Sequence, residues 1–264
     1  LFASCQESDN LPDEYTIGET IRFTGHTSQT KTRATDPEPL TTIETIYVIA
    51  PGYGTGADDQ KAGFEANNGT LKEKTEAVIK RSGKGMFYTA WTEPTGVDIA
   101  AGTVDFTKDL NNFIGAHSEE KEDELKNPML LDFVHLVGKL SLTVVKVDVQ
   151  NNNQLITIKD AKIIFPAIKQ IGKITIQVTK LPEVDLGVSG GELEINLNDD
   201  TGVNSIYLPP LSDSELMMYG AFTIRVSGTD YIGTLSNLST GAINAGDHIH
   251  LTVKITDDHT ALLQ

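Results

Sequence analysis

Hydrophobic positions along this chain seldom recur at helical spacing; most alternate with polar ones or collect in short runs between Gly, Pro, Asn and Asp. That habit predicts short β-strands joined by turns. Ile21-Arg22-Phe23-Thr24 alternates and predicts a first strand. It runs into residues 25–39, full of Thr, Ser, Asp and Pro, which predict an exposed loop open to proteases. Ile43–Ala50 predicts a second strand, stopped by Pro51-Gly52, and residues 86–91 an aromatic core strand that carries the single tryptophan, Trp91. Residues 70–80 admit two readings. Thr70 and Glu73 could form a capping box, with Leu71, Thr75, Val78 and Ile79 on one helical face, or the same residues could enter a strand. The acidic stretch 118–126 predicts one or two helical turns.

The longest apolar stretch, 133–149, changes phase part-way. Val134, Leu136, Leu140, Leu142 and Val144 share one parity, and Val145, Val147 and Val149 the other. The buried face therefore swaps near Val144-Val145, as at a bulge or where a strand passes between packing environments. Gln150-Asn151-Asn152-Asn153 follows and predicts a boundary, giving a polar tether over 1–20, a first domain over 21–149 and a second over 150–264. The second half is the more regular. Short apolar or alternating runs at 155–158, 163–165, 174–178, 193–197, 222–226 and 249–255 predict an antiparallel sandwich or barrel.

Length agrees with two domains, since 264 residues exceed the usual single-domain size. Charge removes one class of function. With 37 acidic against 21 basic residues the chain carries −16, a surface that repels nucleic acid and anionic lipid. Cys5 is the one cysteine, so no disulfide framework or cysteine-rich metal site can form. Its setting, Leu1-Phe2-Ala3-Ser4-Cys5 before an acidic polar stretch, has the form of a lipoprotein cleavage site, with Cys5 as the lipid acceptor. Membrane attachment is then expected only through that lipid, because no run of eighteen apolar residues occurs.

Several patterns touch on chemistry without completing it. Gly187-Val188-Ser189-Gly190-Gly191 has the spacing of a hydrolase nucleophile elbow, but an alternating strand follows Ser189 where a helix is needed. Gly52-Tyr53-Gly54-Thr55-Gly56 lacks the third glycine of a dinucleotide loop. His248 and His250 share the polar face of a strand, which can begin a metal site only with ligands from elsewhere. His135 has the parity of a core histidine beside Phe133 and Val137. Asn196–Gly202 departs from a calcium loop in its glycine and its missing closing glutamate, and predicts a turn. No nucleophile, base and acid converge, so the chain is expected to be no enzyme and to use no cofactor or metal.

The order of features resembles the fimbrillin-like subunits of anaerobic Gram-negative bacteria. The matching pieces are Cys5, the strand Ile21-Arg22-Phe23 with Lys31-Thr32-Arg33-Ala34 after it, and Phe87-Tyr88-Thr89-Ala90-Trp91 with Pro94. Further on stand Phe133-Val134-His135-Leu136-Val137-Gly138-Lys139-Leu140, Tyr207-Leu208-Pro209-Pro210, and Ala245-Gly246-Asp247-His248-Ile249-His250-Leu251. They span nearly the whole chain, though each alone is short, and the final proline of Leu208-Pro209-Pro210 departs from the family pattern. The resemblance implies two transthyretin-like antiparallel β-sandwich domains in tandem and a lipid-anchored place on the outer membrane or in fimbriae. It also implies assembly with other fimbrial subunits by strand insertion. In polymerising members a cut after an arginine, here Arg33, would release the strand Ile21, Arg22, Phe23 and Thr24. A donor strand from the next subunit would fill the groove, and Ile249, Leu251, Val253 and Ile255 with the tail 257–264 are the candidate. The competing reading is a surface lipoprotein that never polymerises and binds a glycan or a host protein.

Overall fold

The computed structural model describes the chain except for residues 1–16, 28–37, 41, 55, 84, 122–124, 149–153, 169–171, 188–190 and 198–202. Cys5, Arg33 and Ser189 therefore lie outside the described residues. The first half contains β1 (Phe23–Thr27), β2 (Glu38–Pro39), β3 (Ile43–Ala50), β4 (Gln60–Asn67), β5 (Thr70–Glu73), β6 (Phe87–Thr92), β7 (Val97–Asp98), β8 (Thr103–Val104), β9 (Ile114–Glu119) and β10 (Met129–His135). The second contains β11 (Gly138–Asp148), β12 (Gln154–Thr157), β13 (Ala161–Phe165), β14 (Gly172–Gln177), β15 (Lys180–Leu186), β16 (Leu193–Leu197) and β17 (Val203–Leu208). A short helix α1 (Asp213–Tyr219) precedes β18 (Ala221–Val226), β19 (Thr229–Thr234), β20 (His248–Ile255) and β21 (Ala261–Leu263).

The all-β expectation holds. The expected pair of tandem transthyretin-like sandwiches does not describe the first half, where the hydrogen bonds run β10-β9-β6-β3-β4-β5-β1 and then back from β1 to β10. That path is a closed ring, with β2 as a short spur on β1. Every contact in the ring is antiparallel except its closure, where β1 lies parallel to β10 from Phe23↔Met129 to Thr27↔Phe133. Closure leaves no free edge along the ring, which is how barrels avoid edge-to-edge aggregation. Alternation fills the interior: Ile46, Val48, Phe64, Tyr88, Leu131 and Phe133 are all buried in one cluster.

One open reading in this half is decided by turn geometry. Residues 70–73 are strand, because Asn68 (φ 47°) and Gly69 (φ 81°) form a tight hairpin turn that folds β5 back on β4. Of the stretch 118–126 expected to form helical turns, Ser118 and Glu119 end β9, and residues 122–124 lie outside the described residues.

The second half packs two sheets face to face. One is built on β11, flanked by β20 on one edge and by β17 and then β12 on the other. The other has the order β16-β13-β18-β19. Leu142 and Val144 of the first sheet share a core with Ile163, Phe165, Phe222 and Ile224 of the second. The phase change foreseen near Val144 is the point where the edge partner of β11 passes from β17, ending at Thr143, to β12, beginning at Val145. Both Val144 and Val145 are buried there. This strand was expected in the first domain. Its side chains instead join the second core from Leu140 onward, so the change of core falls between Phe133 and Leu140, ahead of the Asn-rich stretch.

The hairpin β14–β15 leaves the second sandwich and lies on the outside of the barrel. The Thr89 hydroxyl of β6 reaches the carbonyls of Val178 and Lys180 at its tip, at 3.0 and 3.1 Å. A third apolar cluster, with Phe106, Leu110 and Phe113 from the barrel side and Ile174 and Tyr207 from the other, fills the junction.

Candidate assembly site

The strand expected from the sequence to be exchangeable closes the barrel, and its attachments make up the candidate site. Ile21 and Phe23 are 0% and 1% exposed. The Phe23 ring meets Phe64 and Tyr88 edge-on, each at 5.4 Å between centroids. Burial of such side chains is worth roughly 1.5–3 kcal/mol each, with somewhat more from the aromatic geometry. Arg22 points outward, as the alternation requires, and Thr24 pairs with Thr70 and Leu130. Gly25 marks the tightest approach. A Cβ there would stand 2.4 Å from Leu40 Cδ1 and 3.0 Å from Phe133 Cε2, so any larger residue obliges the Leu40 side chain to move.

A polar latch holds the chain where it enters β1. Arg81 and Glu120 are each 1% exposed, and Arg81 Nη1 donates to Glu120 Oε2. Arg81 Nε donates to Glu19 Oε2 at 3.3 Å, and Nη2 to the Lys126 carbonyl at 3.2 Å. Asn127 clamps the other side: its amide donates to Glu19 Oε1 at 2.6 Å and to the Thr20 carbonyl at 3.1 Å, while its oxygen accepts from the Arg22 backbone at 2.9 Å. The main chain adds Ile21 N to Ile79 O and Arg81 N to Glu19 O. The Asn127 amide and then Arg81 hold the Glu19 carboxyl below its usual pKa, against a smaller pull from burial. Burial is the largest influence on the Arg81 guanidinium and lowers its pKa, but Glu120, Tyr88 and Glu19 together raise it above its ordinary value.

The candidate donor strand sits elsewhere and is not loose. Ile249, Leu251, Val253 and Ile255 belong to β20, which pairs with β11 from Lys139↔His248 to Lys146↔Ile255 and with β21 on its other edge. Leu251, Val253 and Ile255 are buried in the second core. Withdrawing β20 would open that core. The tail is held by less: β21 pairs with β20 through three residue pairs, Val253↔Leu263 to Ile255↔Ala261, with Ala261 in the second core and Ile232 N donating to the His259 carbonyl.

The remaining polar candidates stay apart from this site. His248 and His250 are exposed with rings 4.2 Å apart, and His248 Nε2 lies 2.8 Å from the Ser141 hydroxyl. His135 is half-buried at the end of β10. Burial and then Lys139 lower its pKa; burial, then His250 and Lys139, lower that of His248. Among the described residues no group of three or more His, Cys, Asp or Glu could hold a metal ion. The Arg81 latch escaped the sequence reading because its members, Glu19, Arg81, Glu120 and Asn127, are scattered and carry no motif.

This architecture recurs in solved structures. A candidate cell adhesion protein from Bacteroides uniformis superposes with a TM-score of 0.60 at 16% identity, covering 93% of this chain and 97% of its own. One from Bacteroides ovatus gives 0.61 at 13%, covering 94% and 96%. What is shared is the fold, end to end. A fimbrial assembly protein from Parabacteroides distasonis overlays more loosely, at a TM-score of 0.45 and 12% identity over 93% and 99% of the two chains. No protein-family profile matches this chain, and no curated protein matches its sequence.

Proposed function

We propose that the chain is a fimbrillin-like subunit of a cell-surface fimbrium that serves adhesion and assembles by strand exchange. The observation that carries the reading is the closure of the barrel by β1. With the residues that lead into it, it contributes Ile21 and Phe23 to the core, and its covalent link onward to the rest of the ring runs through the stretch 28–37 that contains Arg33. A cut after Arg33 leaves β1 held by non-covalent contacts alone. Its departure turns the ring into an open sheet with edges on β5 and β10 and bares Phe64, Tyr88 and Phe133. An apolar groove with two unpaired edges is costly in water and is satisfied by an inserted strand of alternating pattern. We assign the donor role to the tail around β21, because β20 is committed to its own core. Cys5 anchors subunits retained at the outer membrane through its lipid, and the chain has no catalytic role. The likeness in fold to two candidate cell adhesion proteins supports this reading.

One observation favours the second reading, a surface lipoprotein that keeps its first strand and captures a glycan or host protein. The latch around Arg81 secures the entry to β1 independently of the 28–37 connection. Treating the purified protein with an Arg-specific protease, then measuring mass and size, separates the two. A single cut after Arg33 followed by ladders of oligomers is the result expected of a polymerising subunit. A cut that leaves a stable monomer, or no cut at all, refutes the stalk role. Metabolic labelling with an alkynyl fatty acid, lost in Cys5→Ser, tests the anchor.

A further inference from the structure

At one end of the barrel, between the start of β3, the end of β6 and the loop before β9, lies an open cleft of about 620 Å³. That volume is in the range of small-ligand sites, roughly 300–1,000 Å³, but the lining differs from the usual apolar one. Hydroxyls come from Thr42, Thr45 and Thr95, carboxamides from Asn111 and Asn112, and carboxylates from Glu93 and Asp109. Lys108 supplies one ammonium, and Ile43 and Pro94 supply small apolar patches.

The cleft is built in advance. Leu110 and Phe113, both 0% exposed, pin the loop at either side of Asn111 and Asn112 into the junction core. Asp109 Oδ1 accepts from the Asn111 backbone at 3.0 Å, and Phe113 N donates to the Leu110 carbonyl at 2.9 Å. Thr92 ties the loop to β6, accepting from Ile114 N at 3.1 Å and donating to the Asn112 carbonyl. The Tyr207 hydroxyl reaches across from the second half and is shared between Asn111 Oδ1 at 2.6 Å and Asp109 Oδ1 at 2.9 Å. Burial and then Asp109 push the Tyr207 phenol's pKa up, so it remains a donor. Lys139 Nζ also donates to Asn111 Oδ1, at 3.2 Å.

These bonds fix what the cleft has left to offer. The Asn111 oxygen is spent on Tyr207 and Lys139, which sets its amide orientation and leaves the NH₂ as the ligand-facing function. Asp109 keeps Oδ2. Among the described residues, the side chains of Glu93, Asn112, Thr42 and Thr95 make no hydrogen bond. A ligand for this set must both donate and accept and must carry apolar patches between its polar groups. Sugar rings do so: vicinal hydroxyls give charge-assisted bonds to carboxylates and accept from amides, while C–H faces meet Ile43 and Pro94. Charge favours a neutral ligand: the Glu93 and Asp109 carboxylates line the cleft, Lys108 lies 3.9 Å from Asp105, and Lys74 and Lys139 at the margin already donate to the Thr45 hydroxyl and Asn111 Oδ1, in a chain carrying −16.

We propose that this cleft binds neutral oligosaccharides, recognised by Asp109, Asn111 and Asn112 on the loop and by Glu93 at the end of β6. The site stands whether or not the chain polymerises. The test uses the intact protein on an array holding neutral galactose-, mannose- and N-acetylglucosamine-containing oligosaccharides beside sialylated and sulfated ones. Calorimetric titration with the strongest neutral binder follows. Glu93→Gln and Asn112→Ala, neither of which holds the loop, should each weaken binding by about tenfold or more with an unchanged melting temperature. Tyr207→Phe should weaken it through the freed Asn111 amide. Binding confined to the sialylated or sulfated arms, no binding to any arm, or neutral binding indifferent to Glu93→Gln and Asn112→Ala would each overturn the proposal.

Discussion

Replacing Arg81 by Met tests the latch and the strand it secures together. The guanidinium is 1% exposed and gives Glu120, equally buried, its charge partner, while also bonding Glu19 and the Lys126 carbonyl. Removing one member of a buried pair strands the other, at a cost of roughly 3–5 kcal/mol. With a urea slope of about 1–3 kcal/mol per molar, the midpoint of barrel unfolding should fall by more than about 1 M. The single Trp91, on β6 of the ring, supplies a fluorescence signal from the same unit. A second variant makes the reasoning strict. If the loss comes from the orphaned carboxylate, then Arg81→Met combined with Glu120→Leu should recover most of it, because an apolar pair of similar volume can replace a buried ion pair at little cost. Hydrogen exchange at residues 17–27 should rise in the single variant and return in the double. An Arg81→Met midpoint within about 0.3 M of wild type, or a double variant less stable than either single one, would refute the account.

Other consequences are open to simpler measurements. Gly25→Ala forces a methyl group to within 2.4 Å of Leu40 Cδ1 and should cost about 1–3 kcal/mol by overpacking, read as a lower denaturant midpoint. Thr89→Val removes the hydroxyl that reaches the Val178 and Lys180 carbonyls. It should cost about 1 kcal/mol and show as faster exchange over β14–β15 with little change at β1. His135 and His248 both have folded pKa values below the ordinary 6.5. The unfolded chain therefore takes up their protons first, and stability present above pH 6.5 is lost as the pH falls below it. The double variant His135→Gln, His248→Gln should flatten that decline in a series of urea midpoints between neutral and mildly acid pH.

Much of the strand content was legible because alternation is a local property. Ile43–Ala50, the aromatic strand of Trp91 and the runs at 193–197 and 222–226 all carry a pattern the structure reproduces. Ring closure was not legible, since nothing in Phe23–Thr27 announces that its partner is Met129–Phe133, over a hundred residues away and parallel. A capping signal left one reading open in the sequence, and another went unseen. Thr70 and Glu73 have the box spacing, but Asn68-Gly69 just before them dictates a hairpin. Ser212 and Glu215 form the real box, with Ser212 Oγ accepting from Glu215 N and Glu215 Oε2 accepting from Ser212 N, and α1 follows. Of the site, a first strand could be named from the alternation at 21–24, though it begins at Phe23 and runs on to Thr27 into the stretch expected to be loop, whereas the latch and the cleft depend on charged and polar residues drawn together only by the finished fold.

The two parallel pairings also decide how the molecule bears tension along its chain. In the barrel, β1 is entered from its N-terminal end and β10 is left from its C-terminal end, and the two run parallel over five residue pairs. In the second half β11 and β20 repeat the arrangement over eight pairs. Pulling the chain ends apart drags each pair in opposite directions along its own axis, so the cross-strand bonds are strained side by side and must fail together. An antiparallel hairpin pulled from its open end would instead give way one bond at a time, as the short β21 would before β20 takes the strain. Both halves of the intact chain thus carry the same shear geometry, and release of β1 would remove it from the first half alone.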